Sequence, residues 1–209
     1  TRTNYATRPL PYDDSTLTGW SATPGTGGAG TFAVRAADGT RPYRGFRYTW
    51  STASSTVTGL GGIVCEAVDV TAGATMSFGA ITELGGYGQR LQMSVVFKNS
   101  GGTTVSTLTG TAAVFQYGAR FLIKAENLTV PATAVTAHVS VLRQNSASSY
   151  QWYVAMWLEV SGVIAVIGSA LGAGYFDGDS PGAAWSGTAG ASTSVFTAPS
   201  DVVTVVDVT

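Results

Sequence analysis

Apolar and polar residues alternate with a period of two along much of this chain, and no stretch of ten residues keeps a 3.6-residue apolar period. Short alternating runs, each stopped by Gly, Ser, Asn or Pro, predict strands at about 31–36, 45–51, 63–70, 74–83, 89–98, 103–109, 119–128, 135–143, 151–160 and 163–167. Several are clearly two-sided. Leu91, Met93, Val95 and Phe97 oppose Arg90, Gln92 and Ser94; Val135, Ala137, Val139 and Val141 oppose Thr136, His138 and Ser140. Trp152, Val154, Met156 and Leu158 oppose Tyr153, Ala155, Trp157 and Glu159. A strand with one apolar face covers a core on one side only, so the pattern predicts an all-β chain with two packed antiparallel sheets. Asn99-Ser100-Gly101-Gly102 reads as a hairpin connection, and Pro131 marks a loop or edge. Residues 1–30 read as an N-terminal arm and loop, 31–172 as the sandwich and 173–209 as a closing or contact segment ending in the strand-like Val202–Val208.

Composition agrees with strands and narrows the partners. Charged residues make up 11% of the chain, and 27 glycines accompany abundant Thr, Ser and Val, a mixture that disfavours helix interiors. With 11 basic and 12 acidic residues the net charge is −1, which leaves no electrostatic footprint for nucleic acid and little repulsion between copies. Homo-oligomers are expected. The single cysteine, Cys65, lies in a strand-like run and reads as a buried, inert thiol. Thr1-Arg2-Thr3-Asn4 has no apolar run behind its arginine, and the apolar run Val160–Leu171 is too short and glycine-broken to span a bilayer, so no membrane insertion is expected.

Catalytic motifs are scarce. Gly25-Thr26-Gly27-Gly28-Ala29-Gly30 spells a dinucleotide fingerprint, but Pro24 precedes it and strand-like residues follow, so it reads as a loop. Asp177-Gly178-Asp179 begins like a calcium loop, yet Pro181 and Thr188 stand where an EF-hand needs ligands. Asp177 and Asp179 remain only candidates for an irregular cation site; no cofactor is expected. Asn127-Leu128-Thr129 is a sequon without a secretory context. His138 is the sole histidine, and Glu66, Glu83, Glu126 and Glu159 are scattered singly, so no acid–base pair is legible. The chain is expected to be non-enzymatic.

Two aromatic residues suggest a binding face instead. Tyr153 and Trp157 lie opposite the aliphatic set of their strand, and Arg90, Gln92 and His138 carry hydrogen-bonding groups on the polar faces of theirs. Rings beside planar polar side chains are what a sugar needs, so these five form a candidate glycan face.

The stretch Gly174-Tyr175-Phe176-Asp177-Gly178-Asp179, followed by Trp185-Ser186-Gly187 and Ala191-Ser192-Thr193-Ser194, resembles the closing element of a jelly-roll domain. That domain occurs in minor tail proteins of phages that infect actinobacteria. Arg2-Thr3-Asn4 and Thr18-Gly19-Trp20 are similar to its opening, Val96–Gly102 to its hairpin, and Met156-Trp157-Leu158-Glu159 to its penultimate strand. The resemblance implies a jelly-roll β-sandwich of the kind seen in carbohydrate-binding modules. It also implies a virion protein on the tail or outer particle surface, assembled in the host cytoplasm. Its partners would be other virion proteins, copies of itself and a host cell-surface glycan. A capsid decoration protein is the alternative on the head lattice.

Overall fold

The computed structural model describes residues 2–6, 17, 19–25, 28–36, 44–51, 61–85, 89–110, 113–115, 118, 120–143, 156–172, 183–187 and 193–196. Among the described residues every regular element is a strand. One sheet runs β2 (Ser21–Thr23), β5 (Gly62–Asp69), β11 (Thr136–Arg143), β7 (Gln89–Lys98) and β8 (Thr104–Thr109). The short β9 (Ala113–Phe115) pairs with the same strand, β7, as β8 does. The other sheet runs β10 (Arg120–Thr129), β6 (Thr75–Gly85), β12 (Trp157–Ile167), β4 (Gly45–Trp50) and β3 (Gly30–Arg35). All recorded pairings are antiparallel. The fold is therefore an antiparallel β-sandwich, as the alternation implied.

Most inward residues are those the period of two assigned; Val135, grouped with Ala137, Val139 and Val141, instead lies just before β11 and is 43% exposed. Leu91, Met93, Val95 and Phe97 of β7 and Ala137, Val139 and Val141 of β11 are each 0% exposed. They face Phe46, Tyr48, Trp50, Phe78, Ala80, Leu84 and Leu158 of the other sheet in one continuous cluster. Phe78 meets Phe97 edge-on across the layers at 6.2 Å, and Trp20 stacks on Phe46 at 4.0 Å. Cys65 is buried in this layer, and burial pushes its thiol far above the ordinary value, which keeps it protonated. The glycine motif at 25–30 leads into β3, with the Trp50 indole donating to the Pro24 carbonyl at 3.1 Å.

The strands expected between 31 and 143 are present as β3 to β8, β10 and β11. Beyond them the outcome differs. The expected strands 151–160 and 163–167 are, from Trp157 on, one strand, because a bulge between Val160 and Gly162 absorbs the interruption without breaking the ladder to β6. Residues 151–155 and 202–208 lie outside the described residues. Strands β1 (Arg2–Asn4), β13 (Ala183–Trp185) and β14 (Ser194–Phe196) form a third small sheet in the order β1-β14-β13. The opening and closing elements of the chain thus pair with each other, Asn4 with Ser194 and Ser194 with Trp185.

That small sheet is tied to the sandwich through a backbone need. Pairing of β12 with β4 stops at Val160, so among the described residues the far half of β12 has β6 on one side and no paired strand on the other. Asn4, fully buried, takes the missing place. Its Nδ2 donates to the Val163 carbonyl at 3.0 Å, and its Oδ1 accepts from Ala165 N at 2.9 Å and Ala6 N at 3.1 Å. Tyr5 N then donates to the Ala165 carbonyl at 2.8 Å. Leaving such buried groups unpaired costs about 1–3 kcal/mol each. Asn4→Ala is therefore expected to lower stability by about 2 kcal/mol or more, read as a reduced urea midpoint with unchanged m. An unchanged midpoint would show that Asn4 is not the strand surrogate described.

Candidate functional site

The two outer faces of the sandwich have different chemistry. On the five-stranded sheet, the outer half-face near Trp157 holds a charge cluster. Glu159, with no exposed surface, accepts from Arg35 through two bonds, Nε at 2.6 Å and Nη2 at 2.7 Å, and from Arg47 Nε at 2.9 Å. Gly45 permits this, since a Cβ there would collide with the Glu159 carboxyl. Glu83, also buried, is the direct β6 neighbour of Glu159 and the β10 neighbour of Arg120. The register thus brings together two carboxylates that looked isolated along the chain. Both oxygens of Glu159 are committed to guanidinium groups, so it is held as a structural anion.

Trp157 belongs to this same face. Its indole fills the space a side chain on Gly85 would need, and the Arg47 guanidinium carbon lies 4.0 Å from its ring centroid. The indole is engaged as a cation–π partner. Arg47 thus takes part of the ring surface that sugar stacking would need. Further along β12, Ile164 and Val166 are buried with Leu171, against Leu122 and Ala183. The third sheet thereby covers that half of the face.

The outer face of the six-stranded sheet is different. The register sets Ser21, Val64, Ser140, Ser94 and Thr109 side by side across β2, β5, β11, β7 and β8. Four of the five carry hydroxyls, and Ser94 and Ser140 are each only 4% exposed. This row spans roughly 19 Å at 4.8 Å per strand. Larger half-buried side chains flank it: Gln92 and Leu142 on one side, Val96 and His138 on the other. On β7 and β11 the small Ser94 and Ser140 stand between these taller side chains, a trough with a hydroxyl floor. Gln92 is braced, its Nε2 donating to the Gly110 carbonyl at 2.9 Å, which leaves its Oε1 as an acceptor.

His138 forms part of the trough wall. Burial, and secondly repulsion from Lys98, hold its imidazolium below the ordinary value of 6.5. It is therefore neutral at neutral pH, with one donor and one acceptor nitrogen.

The five candidate glycan residues do not form one face. Arg90, Gln92 and His138 lie on the outer side of the six-stranded sheet, with Arg90 opposite Val114 at one end of β7. Trp157 lies on the other sheet, so alternation assigned its parity correctly but not its layer. Tyr153 lies outside the described residues, as do the cation candidates Asp177 and Asp179. Ser140 already stood among the polar-face residues, but its alignment with Ser21, Ser94 and Thr109 was not legible, because the four are spread over 120 positions that only the register aligns. Among the described residues no group of three or more His, Cys, Asp or Glu side chains is placed to hold a metal ion. No helix among them is long and apolar enough to cross a membrane.

Known proteins share the fold. The chain is similar to the C-terminal family 22 carbohydrate binding module of Clostridium thermocellum Xyn10B, with TM-score 0.50 and 14% identity over 79% of this chain and 99% of that one. It is similar to the enzymatically active domain of bacteriophage CBA120 tailspike protein 4, with TM-score 0.52 and 13% identity over 78% of this chain. The match spans 21% of the tailspike chain. An arabinose-bound GH51 α-L-arabinofuranosidase matches with TM-score 0.52 and 13% identity, over 79% of this chain and 26% of that enzyme. At such identities the likeness is one of fold. No protein-family model matches the chain, and no curated protein matches it.

A depressed His138 value has a definite consequence. The unfolded chain keeps the ordinary value and takes up the proton first as pH falls. The contribution of His138 to stability is therefore whole above pH 6.5 and fades as pH drops below it. With one histidine in the chain, its ring signals are assignable by proton NMR without labelling. The titration midpoint is expected below 6.5, and Lys98→Gln is expected to raise it part of the way, since burial is the larger cause. A midpoint at or above 6.5 would contradict the half-buried wall position.

Proposed function

We propose that this chain is a non-catalytic glycan-binding β-sandwich module that serves on a phage tail in attachment to the host surface. The observation that carries this reading is the hydroxyl-floored trough walled by Gln92 and neutral His138. It lies on the sheet face that the charge cluster and the third sheet leave alone. Sugars offer hydroxyls that both donate and accept, and neutral amide, imidazole and hydroxyl groups match them without the desolvation cost of full charges. The fold shared with a carbohydrate binding module supports the binding role, and the tailspike segment of the same fold supports a phage setting. The resemblance of the opening and closing elements to those of minor tail proteins supports a tail position. Of those elements, Arg2–Asn4, Trp185 and Ser194 meet in the small sheet of β1, β13 and β14.

The non-catalytic reading rests on the commitment of Glu159 to Arg35 and Arg47 and on a solitary histidine. Host cell-surface polysaccharide, other virion proteins and further copies of the chain are its proposed partners. Calorimetry with soluble cell-wall polysaccharide from the host is expected to show saturable binding. His138→Ala and Gln92→Ala should each weaken it about tenfold, equivalent to about 1.4 kcal/mol, while Trp157→Ala leaves affinity within about twofold. Absence of binding, or loss only in Trp157→Ala, would refute this assignment.

A further inference from the structure

The trough face is neutral along its middle and cationic at the Arg90 end. Arg90 stands four residues before Ser94 on β7, so its Cα lies roughly 14 Å along the strand from the hydroxyl row, with Gln92 between them. Its neighbourhood is unusual for a charged group. Arg90 is half-buried, and its Nε is sealed from solvent with no hydrogen-bond partner. The other cation on the outer side of β7, Lys98, sits at the far end, roughly 27 Å from Arg90. There Asp69, an exposed carboxylate, shares Thr136 of β11 as a neighbour with Lys98. The arginines of the opposite sheet contrast with Arg90, because Arg35 and Arg47 are both matched by Glu159.

A buried N–H donor on a cation costs free energy until an acceptor arrives, and an oxyanion is the acceptor a guanidinium fork fits best. We propose that the glycan held in the trough carries an oxyanion, a carboxylate or a phosphate, which Arg90 receives while Gln92, Ser94, His138 and Ser140 bind neighbouring hydroxyls. This rests on the glycan reading above and narrows it to acidic polysaccharides. The shared chemistry comes from two sources, uronate carboxylates along the chain or phosphodiesters between units.

Calorimetry on the whole chain at low and moderate salt separates them. Four probes are used: a polygalacturonate oligomer, its fully methyl-esterified form, a poly(glycerol phosphate) oligomer and neutral host-wall glycan stripped of acidic groups. At least one acidic polymer is expected to bind tenfold or more tighter than the neutral probes, with affinity falling as salt rises. The acidic polymer that does so identifies the group. Arg90→Gln should abolish that preference and its salt dependence while preserving residual binding to the neutral probes. Arg90→Lys, which keeps charge but loses the fork, should fall between, and circular dichroism with a melting curve checks that both variants fold. Equal affinity for acidic and neutral probes overturns the oxyanion inference and leaves the glycan reading standing. A preference that survives in Arg90→Gln overturns the role of Arg90. No binding to any probe, or to native host polysaccharide, overturns both.

Discussion

The hydrogen-bonding demand of one central strand organises the molecule. β12 runs eleven residues through the middle of the five-stranded sheet, and nearly all of it is buried. Every N–H and C=O on both of its edges must find a partner. β6 satisfies one edge throughout, but β4 satisfies only the first part of the other. The remainder is completed by the amide of Asn4 and the backbone of Tyr5. Because Asn4 also lies in β1, this local requirement draws in β14 and β13, and the three short strands close over the outer side of the sheet.

From that closure follows a division between the two outer faces. The five-stranded sheet spends its outer surface on structure: the Glu159–Arg35–Arg47 cluster on one half, and Ile164, Val166 and Leu171 under the third sheet on the other. Charges there are paired and desolvated, which fixes geometry more than it attracts ligands. The six-stranded sheet holds hydroxyls, an amide and a neutral imidazole along the middle of its outer side, with Arg90 and Lys98 towards the two ends. Its inner side is closed by the same apolar layer that holds the sheets together. Rigid backing and a neutral polar front suit a surface that recognises a chain of hydroxyls.

The fold was largely legible in the sequence, because a period of two with one apolar side states both strand and burial. Leu91 to Phe97 and Ala137 to Val141 show this directly. The site was legible only in part. Alternation says that Trp157 and His138 point away from the core, but it does not say from which sheet, and that was decided by long-range pairing. The same limit hid the neighbouring carboxylates Glu83 and Glu159, which lie 76 positions apart and meet only through the β6–β12 register. A signal did exist in a chain this poor in charge. Arg35, Arg47, Glu83 and Glu159 all take outward positions in strands, where isolated charges invite partners. Asn4 gave no such signal, since a side chain that completes a distant strand leaves no local pattern.

The account stands on recognition through the six-stranded sheet, and the ring of the lone histidine reports on that surface. Proton NMR during titration with a host-wall oligosaccharide is the most direct check. The His138 ring signals are predicted to move in step with saturation, while the Trp157 indole N–H, identified by its loss in Trp157→Phe, stays in place. A moving Trp157 signal beside an unmoved His138 would put the ligand on the other sheet and contradict the account.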